Sequence, residues 1–225
     1  GRPVGRVHFG ERDPVAEFRR RPAGPLADHV HRHAPAVAEE GDRRLAGDRG
    51  GLFEMPITPP EFNAWDRETN VTMNPDGSIK GVIMERIRGQ ESRGPRTLLR
   101  SVSNDDFRKS IERWLSRGAT AAQVVSLKPN DNHERASFDM EIAFSAPFYG
   151  QLMQNRLLIF KPAIANRSTS VYLTDKTRKH PIEFDANSFS EKVVFELPPG
   201  FDVDEMPDAV NLSVPFGSYE TKYEV

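Results

Sequence analysis

From Ser137 to Ser145 the chain sets Phe138, Met140, Ile142 and Phe144 at every second position, with Asp139, Glu141 and Ala143 between them. Successive side chains of a strand point to opposite faces. This stretch therefore predicts a strand with one face in a core and the other toward water, the pattern of an antiparallel sheet. A second alternation, Thr69, Val71 and Met73 within Arg67–Asn74, runs into Pro75-Asp76-Gly77 and then Ser78–Ile87, which predicts a hairpin. Further short strands are expected at Phe53–Ile57, stopped by Pro59-Pro60, and at Gln123–Leu127, Leu157–Lys161, His180–Phe184, Phe189–Leu197, Phe201–Met206 and Ser218–Val225. The last of them belong to a series of strand, Pro198-Pro199-Gly200 corner, strand, Met206-Pro207 step, strand and a final strand led by Gly217. Gly200 is free to adopt a positive φ there, and Tyr219, Tyr223 and Val225 alternate as the buried face of the final strand.

A helical period stands among these strands. Ser103-Asn104-Asp105-Asp106 supplies a cap and first-turn acids, and Phe107, Ile111, Trp114 and Leu115 make a stripe at i, i+4, i+7 and i+8 that Gly118 is expected to end. Leu98, Leu99 and Val102 extend the same apolar face in a preceding turn or short helix. The expected fold class is α+β, predominantly antiparallel β with one main helix at about 104–117 and a β-sandwich-like C-terminal part.

Residues 1–52 have a different character. Arg, Gly, Ala, Pro and His supply 34 of these 52 positions, while Lys, Ser, Thr, Asn, Gln, Ile, Met, Tyr and Trp are missing, and Val, Leu and Phe together number 10. So few large apolar side chains do not offset the entropy of ordering, so disorder or poorly packed helix is expected. Arg, Gly, Ala and Pro are also the residues of GC-rich codons, so a stretch read in the wrong frame would have this composition. The domain reading is a low-complexity, disordered or out-of-frame segment at 1–52, an α+β unit at 53–165 and a β-sandwich-like domain at 166–225.

A net charge of −2 with both signs mixed along the 225 residues leaves no basic footprint for phosphate, so nucleic acid is not an expected partner. The strongest apolar run, Leu157–Phe160, stops at Lys161-Pro162, far below the ~20 residues of a membrane helix. Cysteine is absent, which excludes thiol nucleophiles, thiolate metal sites and disulfides from this chain.

Candidate chemistry is sparse, and each instance has a plainer reading beside it. His29, His31 and His33 in HVHRH would project to one side of a strand, a workable imidazole cluster for a divalent metal, but only Asp28 stands near them as a carboxylate. His133–Ser137, HERAS, begins like the H-E-x-x-H zinc signature but has serine where the second imidazole belongs, and reads as a solvated loop. Asp202, Asp204 and Glu205 could suggest Ca²⁺, yet alternation with Phe201 and Val203 makes them a solvated strand face. Asp105 and Asp106 complement the positive end of the helix. Phe107, Ile111 and Trp114 read as core, and Trp65 near Phe62 could take part in a stacking surface. No catalytic residue, resident metal or cofactor is expected.

The stretches FEMPITPPEFN, DGSIKGVIMERIRGQES, LRSVSNDDFRKSIERWL, YGQLMQNRLLIFKPA and RKHPIEFDANSFSEKVVFELPPGFDVDEMPDAVNLSVPFGSYETKYEV span about residues 52–225. In this order they resemble the C-terminal region of bacterial transglutaminase-like proteins, in which a papain-type core lies between β-rich flanking domains of unknown function. The resemblance implies a periplasmic or extracellular location and an upstream core with catalytic Cys, His and Asp. Residues 1–52 occupy the place of the end of that core without resembling it, as a frameshift would produce. The expectation is a non-catalytic accessory module that positions or binds a protein or peptide substrate, with a free-standing extracytoplasmic interaction domain as the alternative. The oligomeric state stays open.

Overall fold

In the computed structural model, backbone and side chains are described for residues 58–165 and 185–225, and backbone alone for four strands before them. Those four are β1 (Ala16–Arg19), β2 (Leu26–His33), β3 (Arg43–Leu45) and β4 (Leu52–Glu54). They are regular backbone in and beside the segment whose composition led to an expectation of disorder or poorly packed helix. β5 (Ala64–Met73) and β6 (Ile79–Arg88) follow, then α1 (Arg93–Ser101) and α2 (Asn104–Leu115). The remaining strands are β7 (Gln123–Asn132), β8 (Ser137–Ala146), β9 (Gln151–Met153), β10 (Leu157–Phe160), β11 (Ser188–Glu196), β12 (Asp202–Glu205), β13 (Val210–Val214) and β14 (Gly217–Glu224). The strand expected at His180–Phe184 and the end of the one expected at Phe53–Ile57 lie outside the described residues.

The chain is mostly β. Its largest sheet has eight strands in the order β13-β14-β2-β11-β5-β6-β8-β7, a second has the order β12-β1-β10-β9, and β3 pairs with β4. Pairing is antiparallel except between β5 and β11, which run parallel from Ala64↔Ser188 to Thr72↔Glu196. The β5–β6 hairpin forms as its turn predicts, closed by Asp76, whose carboxylate accepts from the Ser78 hydroxyl and backbone N–H. Those two bonds hold the Asp76 carboxyl below the usual carboxylate range.

Strand parity determines what is buried. Val71 and Met73 of β5, Ile79, Ile83 and Ile87 of β6, Phe138, Ile142 and Phe144 of β8, and Val193 and Phe195 of β11 all point into one core. On it lie Phe107, Ile111 and Leu115 of α2, and Leu158 and Phe160 of β10. Phe160 meets Phe195 at 4.8 Å between ring centroids. The core thus joins residues on both sides of the 165/166 boundary drawn from the sequence, with β11 inserted into the sheet begun by β5.

α2 starts where its cap predicts, with the Ser103 hydroxyl accepting from the Asp106 N–H. Its end differs from the expectation. The helix closes at Leu115, and Gly118 is small because the chain returns there: a Cβ on it would sit 1.9 Å from the Ile164 carbonyl oxygen. Gly200 does take a positive φ of 85° at its corner. Leu99 and Val102 pack on the core from α1 and its end, whereas Leu98 is exposed. On β14 the deepest side chain is Thr221, with Tyr219 and Tyr223 half-buried and Val225 exposed. The buried face expected for this strand therefore stops short of its last residue, which follows the end of the strand pairing.

Candidate functional site

Arg67 stands on β5 at the same parity as Val71 and Met73, so its guanidinium enters the core. Glu85 on β6 and Glu191 on β11 hold inward positions on the two neighbouring strands, at 2.7 Å and 3.0 Å from it. A third bond, 2.8 Å long, goes to the Ala165 carbonyl. The Trp65, Trp114 and Phe189 rings surround the group, their centroids 5.8, 4.9 and 5.2 Å from its central carbon. Trp65 also donates its indole N–H to Glu85. Burial alone would lower the Arg67 pKa, but the two carboxylates outweigh it and raise the value, so the cation is firmly held. Such an arrangement ties together three strands and α2, with Arg67 Nη2 buried and without a hydrogen-bond partner among the described residues.

A second ionic group joins α1 to the β7–β8 turn. Asp131 accepts from Arg96 and, at 2.8 Å, from Arg100, and lies 3.2 Å from His133. Arg96 also reaches the Ser137 carbonyl at 2.9 Å. Burial would raise the Asp131 carboxyl, but the Arg96 hydrogen bond and the Arg96, His133 and Arg100 charges outweigh it and hold it below the usual range.

The opposite, outward parity of the large sheet is open to solvent. Around Gly81 it forms a shallow depression of ≈ 670 Å³ whose walls are Asn70, Thr72, Lys80, Val82, Ser145, Val194 and Glu196. Gly81 itself has the inward parity of β6, and its smallness answers to the core side: a Cβ there would lie 2.7 Å from the Asn70 carbonyl oxygen and 3.0 Å from the ring of the buried Phe144. Val125 reaches its rim from an irregularity in β7 between Val124 and Ser126. Apolar Val82, Val125 and Val194 stand there beside polar Asn70, Thr72 and Ser145.

The residues singled out in the sequence do not come together. His29, His31 and His33 have their backbone in β2, opposite Lys192, Ser190 and Ser188 of β11, and their side chains lie outside the described residues. His133 begins the turn between β7 and β8 and is tied to Asp131. Asp202 caps the Val203 N–H at 3.0 Å, while Asp204 and Glu205 are exposed. Among the described residues no three His, Asp or Glu side chains converge as metal ligands. Trp65 is half-buried, donates its indole N–H to Glu85 and has the Arg67 guanidinium against its ring, while Phe62 is exposed. The depression had no motif to announce it, because its lining comes from five strands, the β5–β6 hairpin with β7, β8 and β11, spread over residues 70–196.

Among the described residues no helix is long and apolar enough to cross a membrane. A family model described as a Domain of Unknown Function with solved-structure structure, DUF3858, matches residues 155–225. No curated protein and no solved structure matches the chain. The matched stretch runs from the turn before β10 through β11, β12, β13 and β14, so the C-terminal strands of both sheets are similar to a domain whose function is itself undefined.

Proposed function

We propose that this chain is a non-catalytic accessory module of a transglutaminase-like envelope protein, holding a protein or peptide substrate for a papain-fold core encoded upstream. The observation that carries this reading is the depression on the open face of the large sheet, sized and lined for an extended peptide. The transglutaminase-like part of the reading rests on the sequence resemblance, which includes the Pro-Pro-Gly corner and the Gly217-led strand; the DUF3858 model matches those residues without a stated function. In this reading residues 166–225, with β11 to β14, form the sandwich-like end of the module, and its setting is the periplasm or the cell exterior.

The test is a ¹H–¹⁵N NMR titration of the chain with tryptic peptides of β-casein, a Gln- and Lys-bearing substrate. Shifts should gather at Asn70, Thr72, Lys80 and Val194, and Val82→Glu should remove them. A titration that leaves these amides unmoved would sink the reading. Amine incorporation into casein by this chain alone should be at background, and measurable turnover would overturn its non-catalytic part. A second reading, a free-standing extracytoplasmic interaction domain, draws on Val210, Leu212 and Phe216, which are exposed on and beside β13. It predicts that a partner protein shifts those amides and not the ones at the depression.

A further inference from the structure

The two ends of the eight-stranded sheet are built differently. β7 ends one side with Lys128, Pro129 and a register irregularity after Val124, the usual devices that keep an edge strand from pairing. β13 ends the other side with Val-Asn-Leu-Ser-Val, uncharged and without proline between Pro207 and Pro215. Val210 and Leu212 are 45% and 54% exposed.

The hydrogen-bonding parity of β13 follows from its hairpin. Val214 faces Gly217 across the two-residue connection Pro215-Phe216, and the Val210 N–H donates to Thr221 Oγ1 at 3.0 Å. Val210, Leu212 and Val214 therefore direct their backbone groups toward β14, while Asn211 and Ser213 direct theirs away from the sheet. The strand is also self-complementary: apolar, polar, apolar, polar, apolar reads the same in both directions.

We propose that β13 is the edge through which two copies of this chain pair, antiparallel about a two-fold axis at Leu212. That register sets Asn211 opposite Ser213 of the second copy, twice, and their outward groups make four backbone hydrogen bonds. Leu212 meets its own symmetry mate at a non-hydrogen-bonded position, where side chains across the pair approach most closely. Val210 meets Val214. Asp208 falls opposite Phe216, so no like charges are brought together. The same antiparallel register about Leu212 satisfies hydrogen-bond parity, side-chain pairing and charge at once, which singles out a second copy as the occupant. The pairing is confined to five residues by the flanking prolines, so the contact is smaller than the ~1,600 Å² of a standard interface and the dimer is a weak one.

The test is sedimentation equilibrium of the 225-residue chain from about 10 to about 500 μM, the range in which so small an interface titrates. The apparent mass should climb toward twice the monomer's. Ser213→Pro, which removes only an outward N–H and fixes a φ that an edge strand tolerates, should weaken association at least ~10-fold while the circular dichroism is unchanged. The chain has no cysteine, so Leu212→Cys should give a disulfide-linked dimer on mild oxidation, and Glu134→Cys, in the turn between β7 and β8, should not. This readout stands even where Ser213→Pro fails to fold. A chain that stays monomeric throughout and gives no Leu212→Cys dimer overturns the proposal and leaves the edge to another segment or another protein. A dimer that a folded Ser213→Pro does not weaken, or that Glu134→Cys traps as readily, overturns it too.

Discussion

Arg67 illustrates how one side chain can hold a sheet in register. Its partners come from β6, β11 and the Ala165 carbonyl, so replacing it removes ties across three strands at once. Arg67→Met should destabilise the chain by about 3–5 kcal/mol, because two buried carboxylates then lack a counter-charge. Urea unfolding beside Arg67→Lys, which keeps a charge, checks this: the lysine variant should lose less, and an equal loss would mean that packing, not charge, is what Arg67 supplies. Its own contribution is present at every pH below the ordinary arginine range and disappears only as pH climbs through the still higher folded value. Asp131 has the opposite sign. Its folded value lies below the ordinary 3.8, so its contribution is complete well above that pH and is lost as pH falls through the lowered folded value. Asp131→Asn should cost about 1–2 kcal/mol at neutral pH, through weakened bonds to Arg96 and Arg100. The gap between the thermal midpoints of variant and parent should begin to close as pH falls below about 3.8 and vanish only beneath the lowered folded value, and a gap that does not narrow with falling pH would refute the linkage. The sequence carried a cue to Arg67, Glu85 and Glu191 that composition hides: each is a charge at an inward position of an alternation whose other members, Thr69 apart, are uncharged and non-polar. What it could not give is that the three strands are neighbours.

At the scale of elements, legibility followed the range of the interaction that decides each one. The β5–β6 hairpin rests on Asp76 and a turn four residues long, the α2 start on Ser103 and Asp106, and β8 on its own alternation; all are local and all form where the sequence puts them. The parallel pairing of β11 with β5 joins residues about 124 apart, and no local pattern of either strand specifies the other. Gly118 shows the same divide, since its smallness answers to the Ile164 carbonyl and not to the helix it follows. β7 is longer than its apolar start suggests because its second half, including Lys128 and Pro129, pairs with β8 as far as Asn132↔Ser137 and is held from α1 by Arg96 and Arg100 on Asp131. The depression beside Gly81 is unreadable for the same reason as the β11 pairing. These packing terms can be weighed against the helix's intrinsic ones. Leu115 is fully buried where α2 meets the sheet, so Leu115→Ala should cost about 2–5 kcal/mol, a transfer loss plus a cavity. Ser103→Ala at the cap should cost about 1 kcal/mol. Chemical denaturation of both variants would contradict this ranking if the cap proved the larger.

For the whole molecule the decisive question is what residues 1–52 contribute. Every member of the described core cluster lies between Trp65 and Met206, on both sides of the 165/166 boundary. Asn63 binds the Ala186 carbonyl, Ser188 binds the Asn63 carbonyl, and Arg67 binds Glu191, so the region after residue 53 closes on itself through ties that do not pass through the first strands. β2, by contrast, stands between β11 and β14 and contributes backbone pairing at the point where the β13–β14 hairpin joins the large sheet. These two facts make distinct demands on a chain that begins at residue 53. It should still unfold in one cooperative transition, because the apolar burial that drives cooperativity is retained. Its Ser218–Glu224 amides should lose hydrogen-exchange protection, because β14 then keeps β13 as its sole strand neighbour among those described. Calorimetry together with exchange mass spectrometry separates the alternatives. A broad, uncooperative melt would mean that the first 52 residues complete the core itself. Unchanged protection on β14 would mean that the hairpin is anchored by side-chain packing rather than by β2. The expected result, cooperative unfolding with a loosened hairpin, would mark the first segment as a supplier of inserted strand pairing and residues 53–225 as the folding unit on which a substrate-holding role would rest.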